Sequence, residues 1–207
     1  MNQIAIIDYG VGNLFSLASS FRSIGAEITV TSDASVIRQA DKLILPGVGA
    51  FEDAARKLRE TGLDTVIREE AGSGKPLMGI CLGMQMLFEK SYEYGEHEGL
   101  GLLKGAVVPM QGRIPEGLKI PHIGWNALHF TRDSGLFRYI REGDCVYFVH
   151  SYYASGCEDS VIATAGYGVE LTAAVQKGNV MGCQFHPEKS GKVGLAILRA
   201  FCEGIEA

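Results

Sequence analysis

No stretch of the 207-residue chain reaches the ~18 uninterrupted apolar positions of a membrane-spanning helix. Basic clusters are missing as well: 19 lysines and arginines lie scattered among 24 acidic residues, for a formal charge of −5, so no nucleic-acid footprint is present. The five cysteines, Cys81, Cys145, Cys157, Cys183 and Cys202, are odd in number and form no CxxC pair. That argues against a disulfide scaffold or a zinc ribbon and for reduced thiols. The opening MNQIAIIDYGVGN lacks a basic leader and meets an acidic residue at Asp8, so it reads as a first strand and not as a signal peptide. A cytoplasmic protein with neither membrane nor nucleic acid as partner is expected. With 46% apolar and 21% charged residues the composition is that of an ordinary globular protein. No repeat, low-complexity segment or linker divides the chain, and one domain over residues 1–207 is expected.

What is present is alternation. Short β-branched runs alternate with segments of helical period: IAIID, LFSLASSFRSIG, EITVT, LILPG, FEDAARKLRETG and PLMGI. This pattern predicts βαβ units on a parallel sheet with helices on both faces. In the first helical segment Leu14, Leu17, Phe21 and Ile24 make one apolar stripe, which Gly25 ends. LGMQMLFEK has helical period, with Met84, Leu87 and Phe88 on one face. From Leu102 to Gly182 strand-like runs dominate, and a last helix is predicted from about Val193 to Phe201. The expected fold is a flavodoxin-like, three-layer α/β domain whose mostly parallel central sheet acquires antiparallel strands in its second half.

Open α/β sheets bind ligands at the carboxyl ends of their strands, so the residues just after IAIID, LIL, PLMGI and GCQF should share one edge. Gly79-Ile80-Cys81-Leu82-Gly83 has the G-x-nucleophile-x-G form, whose small residues tolerate the crowded backbone of a strand-to-helix elbow. At such an elbow the dipole and free N–H groups favour a thiolate. Cys81 reads equally as a packed apolar residue, since free cysteine is among the most buried types. His186 stands at the end of an apolar strand, where Pro187 enforces an extended exit, and Glu188 two residues on can orient the ring; a histidine there is also often a surface or capping residue. Cys183 and His186 match a CxxH metal pair without a second pair at ligand spacing, so no metal is expected. Leu45-Pro46-Gly47-Val48-Gly49-Ala50 supplies a Gly-rich turn that can serve as an oxyanion hole or merely as a tight connection. Gly10-Val11-Gly12-Asn13-Leu14-Phe15 with Asp33 is a partial dinucleotide fingerprint, but Phe15 replaces the third glycine and should crowd the helix against the strand. No cofactor is expected.

Together, Gly79-Ile80-Cys81-Leu82-Gly83-Met84-Gln85 and His186-Pro187-Glu188 resemble the motifs of the triad-type, class I glutamine amidotransferases. Asp8 to Leu14, Pro46 to Phe51 and Pro121-His122-Ile123-Gly124-Trp125-Asn126 look like the glutaminase subunits of imidazole glycerol phosphate synthase, and the likeness spans nearly the whole chain. The resemblance implies that Cys81 attacks the side-chain amide of L-glutamine, that His186 moves the protons and that Glu188 orients it. It further implies an oxyanion hole from Leu82 and the Gly47-Val48-Gly49 turn, and a glutamine site from Gly49, Gln85, Glu93, Ser151 and Tyr152. Ammonia would pass to a separate cyclase subunit with a (β/α)₈ barrel, for which this chain is too short, to form a heterodimer. Asn13, Trp125, Asn126, Tyr147 and Lys189 are the positions carried to that interface. The alternatives are the glutaminase subunit of another synthase, for anthranilate or pyridoxal phosphate, and a flavodoxin-like binding protein with an inert thiol.

Overall fold

A computed structural model describes residues 3–204. The first half alternates as the periodicity predicts: β1 (Ile4–Ile7), α1 (Leu14–Ser23), β2 (Ile28–Thr31), α2 (Ala34–Gln39), β3 (Lys42–Leu45), α3 (Phe51–Glu60), α4 (Leu63–Gly72), β4 (Leu77–Ile80) and α5 (Leu82–Gln85). The second half is mostly strand: β5 (Phe88–Ser91), β6 (His97–Glu98), β7 (Leu103–Pro109), β8 (His122–Ala127), β9 (His129–Phe130), β10 (Cys145–His150), β11 (Tyr152–Ser155), β12 (Val161–Gly166), β13 (Glu170–Lys177) and β14 (Val180–Cys183), closed by α6 (Gly191–Glu203).

The main sheet has eight strands in the order β2-β1-β3-β4-β14-β13-β12-β9. Its first five strands run parallel and the last three are antiparallel additions. The four central strands β1, β3, β4 and β14 are buried along their whole length, which is why they read as continuous apolar runs. Alternate residues feed opposite cores, as the period of two requires. Ile4 and Ile6 join Leu17 and Phe21 of α1 and Ile197, Leu198 and Phe201 of α6. Ala5 and Ile7 join Ile37 of α2, Ala54 and Leu58 of α3 and Val66 and Ile67 of α4. Each fully buried Leu, Ile or Phe contributes roughly 1.5–3 kcal/mol, so these two layers hold the sheet between them. A four-stranded sheet, β11-β7-β5-β6, extends the second layer, and β8 and β10 form a two-stranded ribbon.

Three local expectations change. The helix after Cys81 is one turn long, not the longer one its period suggests: Phe88 leaves it to pair with Leu103 of β7, and long-range pairing overrides the local pattern. Four elements were not anticipated: the short helix α2, the strands β5 and β6, and α4, although Leu63, Val66, Ile67 and Ala71 of α4 fall at helical spacing and are buried. Phe15 does not crowd the sheet, since it turns outward and is 81% exposed. Among the described residues no helix is long and apolar enough to cross a membrane.

Candidate active site

The four strand ends expected to share an edge do so, because β1, β3, β4 and β14 are neighbours in the sheet. Cys81 sits immediately after β4 with φ 55 and ψ −113, one of two non-glycine residues with positive φ among the described residues. Such a backbone costs on the order of 1–3 kcal/mol and persists only where its surroundings enforce it. Here they are glycines packed to contact. A Cβ on Gly83 would lie 1.8 Å from the Leu45 carbonyl oxygen, one on Gly79 2.6 Å from the Gly83 oxygen, and one on Gly47 2.8 Å from the Gly83 nitrogen. β3, its following turn and the elbow therefore fit together only as bare backbone. The Cys81 N–H donates to the Cys183 carbonyl at 2.8 Å, tying the elbow to β14.

β14 delivers the second group. His186 has an extended backbone before Pro187, as expected, but the chain then enters a 3₁₀ turn, Pro187–Lys189, so Glu188 reaches the ring from a turn and not along a strand. The ring Nδ1–H donates to Glu188 Oε1 at 2.8 Å, with both side chains 4% exposed. The opposite nitrogen, Nε2, is buried without a hydrogen-bond partner among the described residues and has the Cys81 sulfur as its neighbour. Burial works against the charged ring, yet the Cys81 sulfur and the Glu188 carboxylate outweigh it, and the imidazole is pushed up to about 9.

Cys81 and His186 open on one cleft of about 550 Å³, whose walls also include Val48, Gly49, Leu82, Gln85, Glu93, Ser151, Tyr152 and Lys189. Gly47 is not among these walls; it packs behind them against the elbow. A larger cleft of about 680 Å³ around Arg132, Ser134 and Gln176 contains none of these groups. The N–H groups of Leu82 and Val48 are not taken by any other described residue, and Val48 is 43% exposed. The Glu93 carboxylate accepts from the Phe51 N–H at 2.6 Å, capping α3, and burial raises it above the ordinary carboxylate range. Gln85 is buried and donates from Nε2 to the Tyr152 carbonyl at 3.1 Å and to Gln184 Oε1 at 3.0 Å.

Trp125, Tyr147 and Lys189 form one cluster beside the cleft, with Trp125 and Lys189 exposed and Tyr147 half-buried. The Trp125 and Tyr147 rings meet edge to face at 5.9 Å, and the Lys189 ammonium lies 6.0 Å from the Tyr147 ring centre. Asn126 turns its amide inward to His122 and Gly166. Asn13 is exposed at the start of α1, where its side chain accepts from the Ser16 N–H. Cys183 is sealed in the core, and burial pushes its thiol well up, away from the thiolate a metal ligand needs. No cluster of three or more metal-ligating side chains occurs among the described residues. Asp33 caps α2 through the Ser35 N–H at 2.7 Å, so its carboxylate is already engaged.

Two neighbours of the nucleophile position escaped sequence reasoning. Gln184 is wholly buried and lies 3.8 Å from Cys81 Sγ through Nε2. Tyr9 is buried, donates its hydroxyl to the Pro46 carbonyl at 2.7 Å, and is pushed up by burial and by nearby Cys81. The available signal was their position, since both follow strands of the shared edge. Chemically, the set can support attack by sulfur with proton transfer through the imidazole, the working arrangement of amide-cleaving α/β enzymes with a cysteine nucleophile.

Comparison with known proteins narrows that class. The glutamine amidotransferase class-I family matches residues 5–204. The HisH subunit of imidazole glycerol phosphate synthase from Lactococcus lactis subsp. lactis is 51% identical over 206 residues, 99% of this chain and 100% of the relative. That from Aquifex aeolicus is 50% identical over 198 residues, 95% of this chain and 94% of the relative. A crystal structure of a glutamine amidotransferase superposes with TM-score 0.75 at 21% identity, covering 96% of this chain and 97% of that one. A chain of PurLQS from Thermotoga maritima does so with TM-score 0.76 at 22% identity, covering 98% and 99%; at such identity the likeness concerns the fold. The chain belongs to the class-I glutamine amidotransferases and, within them, to the family of HisH subunits of imidazole glycerol phosphate synthase.

Proposed function

We propose that this chain is the glutaminase subunit of an imidazole glycerol phosphate synthase in histidine biosynthesis, working as one amidotransferase domain in the cytoplasm. Cys81 attacks the side-chain carbonyl carbon of L-glutamine, and the C–N bond breaks as His186 gives its proton to the departing ammonia. Water, deprotonated by the same ring, then hydrolyses the γ-glutamyl thioester to glutamate and frees the thiol. Glu188 holds the ring, and the N–H groups of Leu82 and of the Gly47-Val48-Gly49 turn receive the oxyanion. Gln85, Gly49, Ser151 and Tyr152 shape the glutamine pocket, and the Glu93 carboxylate receives the α-ammonium.

The observation that carries this reading is the strained backbone of Cys81 opposite a buried His186–Glu188 pair in one cleft. Strain held by three glycines at a nucleophile position supports a catalytic role for Cys81 over a packing one. A (β/α)₈-barrel cyclase subunit docks on the cluster of Trp125, Tyr147 and Lys189, with Asn13 as a further contact and Asn126 supporting Trp125 from the inner side of β8, and receives the ammonia directly. Val48 lines the cleft with its N–H untaken by any described residue, and that N–H completes the oxyanion hole only in the complex. The free chain should then turn over roughly 10²–10³ more slowly, the worth of one such donor.

The test is release of ammonia and glutamate by the purified chain, alone and with the cognate barrel subunit and its nucleotide ligand, beside Cys81→Ala. Release that requires the partner and disappears in the variant supports the reading. Release unaffected by Cys81→Ala refutes it.

A further inference from the structure

Two buried histidines take no part in that chemistry. His122 and His150 face each other across the β8–β10 ribbon, which also sets Trp125 opposite Tyr147. The side chains form a line: His150 Nδ1 meets the Tyr152 carbonyl at 2.8 Å, His150 Nε2 meets His122 Nδ1 at 3.0 Å, and His122 Nε2 meets Asn126 Oδ1 at 2.7 Å. Asn126 is itself oriented, because its Nδ2 donates to the Gly166 carbonyl at 2.9 Å and leaves only the oxygen for His122. Phe148 and Tyr167 stack on the His122 ring, at 5.1 and 4.1 Å between centres, and hold its plane. The near end enters the cleft, since the Tyr152 carbonyl also accepts from Gln85 Nε2.

Counting protons exposes a shortage. Oxygens at both ends only accept, so His150 Nδ1 and His122 Nε2 each need a hydrogen, and the contact between the rings needs a third. Two neutral imidazoles hold two. A charged pair is opposed by burial, which pushes His150 down to about 4, with His122 and His186 acting in the same direction, and lowers His122 as well. With His150 bonded to Tyr152, His122 can complete one remaining contact and not both. As the Nε2–H form it bonds Asn126 and leaves two bare nitrogens facing each other. As the Nδ1–H form it bonds His150 and leaves a bare nitrogen against the Asn126 oxygen. These are two discrete arrangements of one element, each leaving one buried contact unmade, and small differential interactions decide between them.

We propose that His122 is a two-state positioning residue whose tautomer couples the Trp125–Asn126 segment of β8 to the Tyr152 and Gln85 wall of the cleft. Docking on Trp125 shifts its β8 neighbour Asn126, Oδ1 loosens its hold on the His122 Nε2 hydrogen, the proton settles on Nδ1, and His150 is then held from both sides. The Tyr152 carbonyl and Gln85 are thereby fixed for turnover. This inference rests on the glutaminase reading and supplies a route by which docking reaches the pocket.

The experiment is ¹⁵N NMR of the full chain with labelled histidine near neutral pH, free and with the cognate barrel subunit. His150 should keep its Nδ1–H in both states, while His122 moves from the Nε2–H to the Nδ1–H form on binding. An unchanged His122, or a bare His150 Nδ1, overturns the inference. In parallel, His122→Phe keeps the aromatic stack and removes both nitrogens. It should cut the stimulation of glutamine turnover by the partner about tenfold, the worth of one buried hydrogen bond, with partner affinity changed less than about threefold. Should that variant not fold, the spectra of the unaltered chain decide. An unaltered chain inactive with its partner overturns the glutaminase reading and this inference together, whereas equal stimulation of the original and His122→Phe overturns this inference alone.

Discussion

Replacing Gly83 with alanine would test whether the elbow is as tightly built as its contacts imply. The added methyl would sit 1.8 Å from the Leu45 oxygen and 2.7 Å from its carbon. Both are backbone atoms of β3, which is hydrogen-bonded in the sheet on both sides and cannot swing aside as a side chain would. Relief therefore requires the end of β3 and the elbow to separate by about 1 Å or more. Overpacking of this kind costs about 1–3 kcal/mol. For a chain of this size each kcal/mol is worth roughly 2–4 °C, so the melting temperature should fall by roughly 2–12 °C. Function should suffer more, because the same displacement carries Cys81 away from His186 and the Gly47-Val48-Gly49 turn away from Leu82. A misplacement near 1 Å costs on the order of 10²-fold in rate. Calorimetry and glutamine turnover of the complex measure the two effects. Gly72→Ala is the control: it ends α4, has nothing within 4 Å of an added Cβ, and should melt no lower than the original. A Gly83→Ala chain that melts and turns over like the original would refute the argument that bare backbone contact holds the elbow.

The remaining expectations concern charge. His186 has a folded value of about 9 against an ordinary 6.5, so it adds stability that is fully present below pH 6.5 and is lost as pH rises through 9. The loss should reach at most about 3 kcal/mol, read from denaturant midpoints on either side of that window, and Glu188→Gln should shrink it by removing one of the two groups that raise the ring. A stability constant across the window would show that the ring is not held charged. Glu93→Gln keeps an acceptor for the Phe51 N–H, so α3 should remain capped while the negative charge in the cleft disappears. KM for glutamine should rise roughly 10-fold or more, with kcat and melting temperature little changed; an unchanged KM would remove Glu93 from the substrate's ammonium.

Much of the site was legible because it is written locally. The G-x-C-x-G elbow demands small residues at Gly79 and Gly83, whatever surrounds them, and the rule that ligands gather at strand ends placed Cys81, Gly49 and His186 on one edge. The His186–Glu188 contact was anticipated for an incomplete reason: an extended strand was expected, and a 3₁₀ turn after Pro187 makes the contact instead. Phe15 shows the opposite failure, since a sequence offset says nothing about which way an exposed side chain turns.

Periodic apolar runs, Gly-rich turns and motif spacing are properties of neighbouring residues, and they carried the layered α/β class and the shared strand edge and singled out Cys81, His186 and Glu188 as candidates. Contacts between distant residues decided the rest. Gln184 comes to Cys81 across 103 positions of sequence and His122 to His150 across 28. The elbow helix stops at Gln85 because Phe88 finds β7. No local pattern records such pairings, because apolar burial drives the chain together and each buried polar group is tolerated only against a partner that the folded chain alone brings within reach.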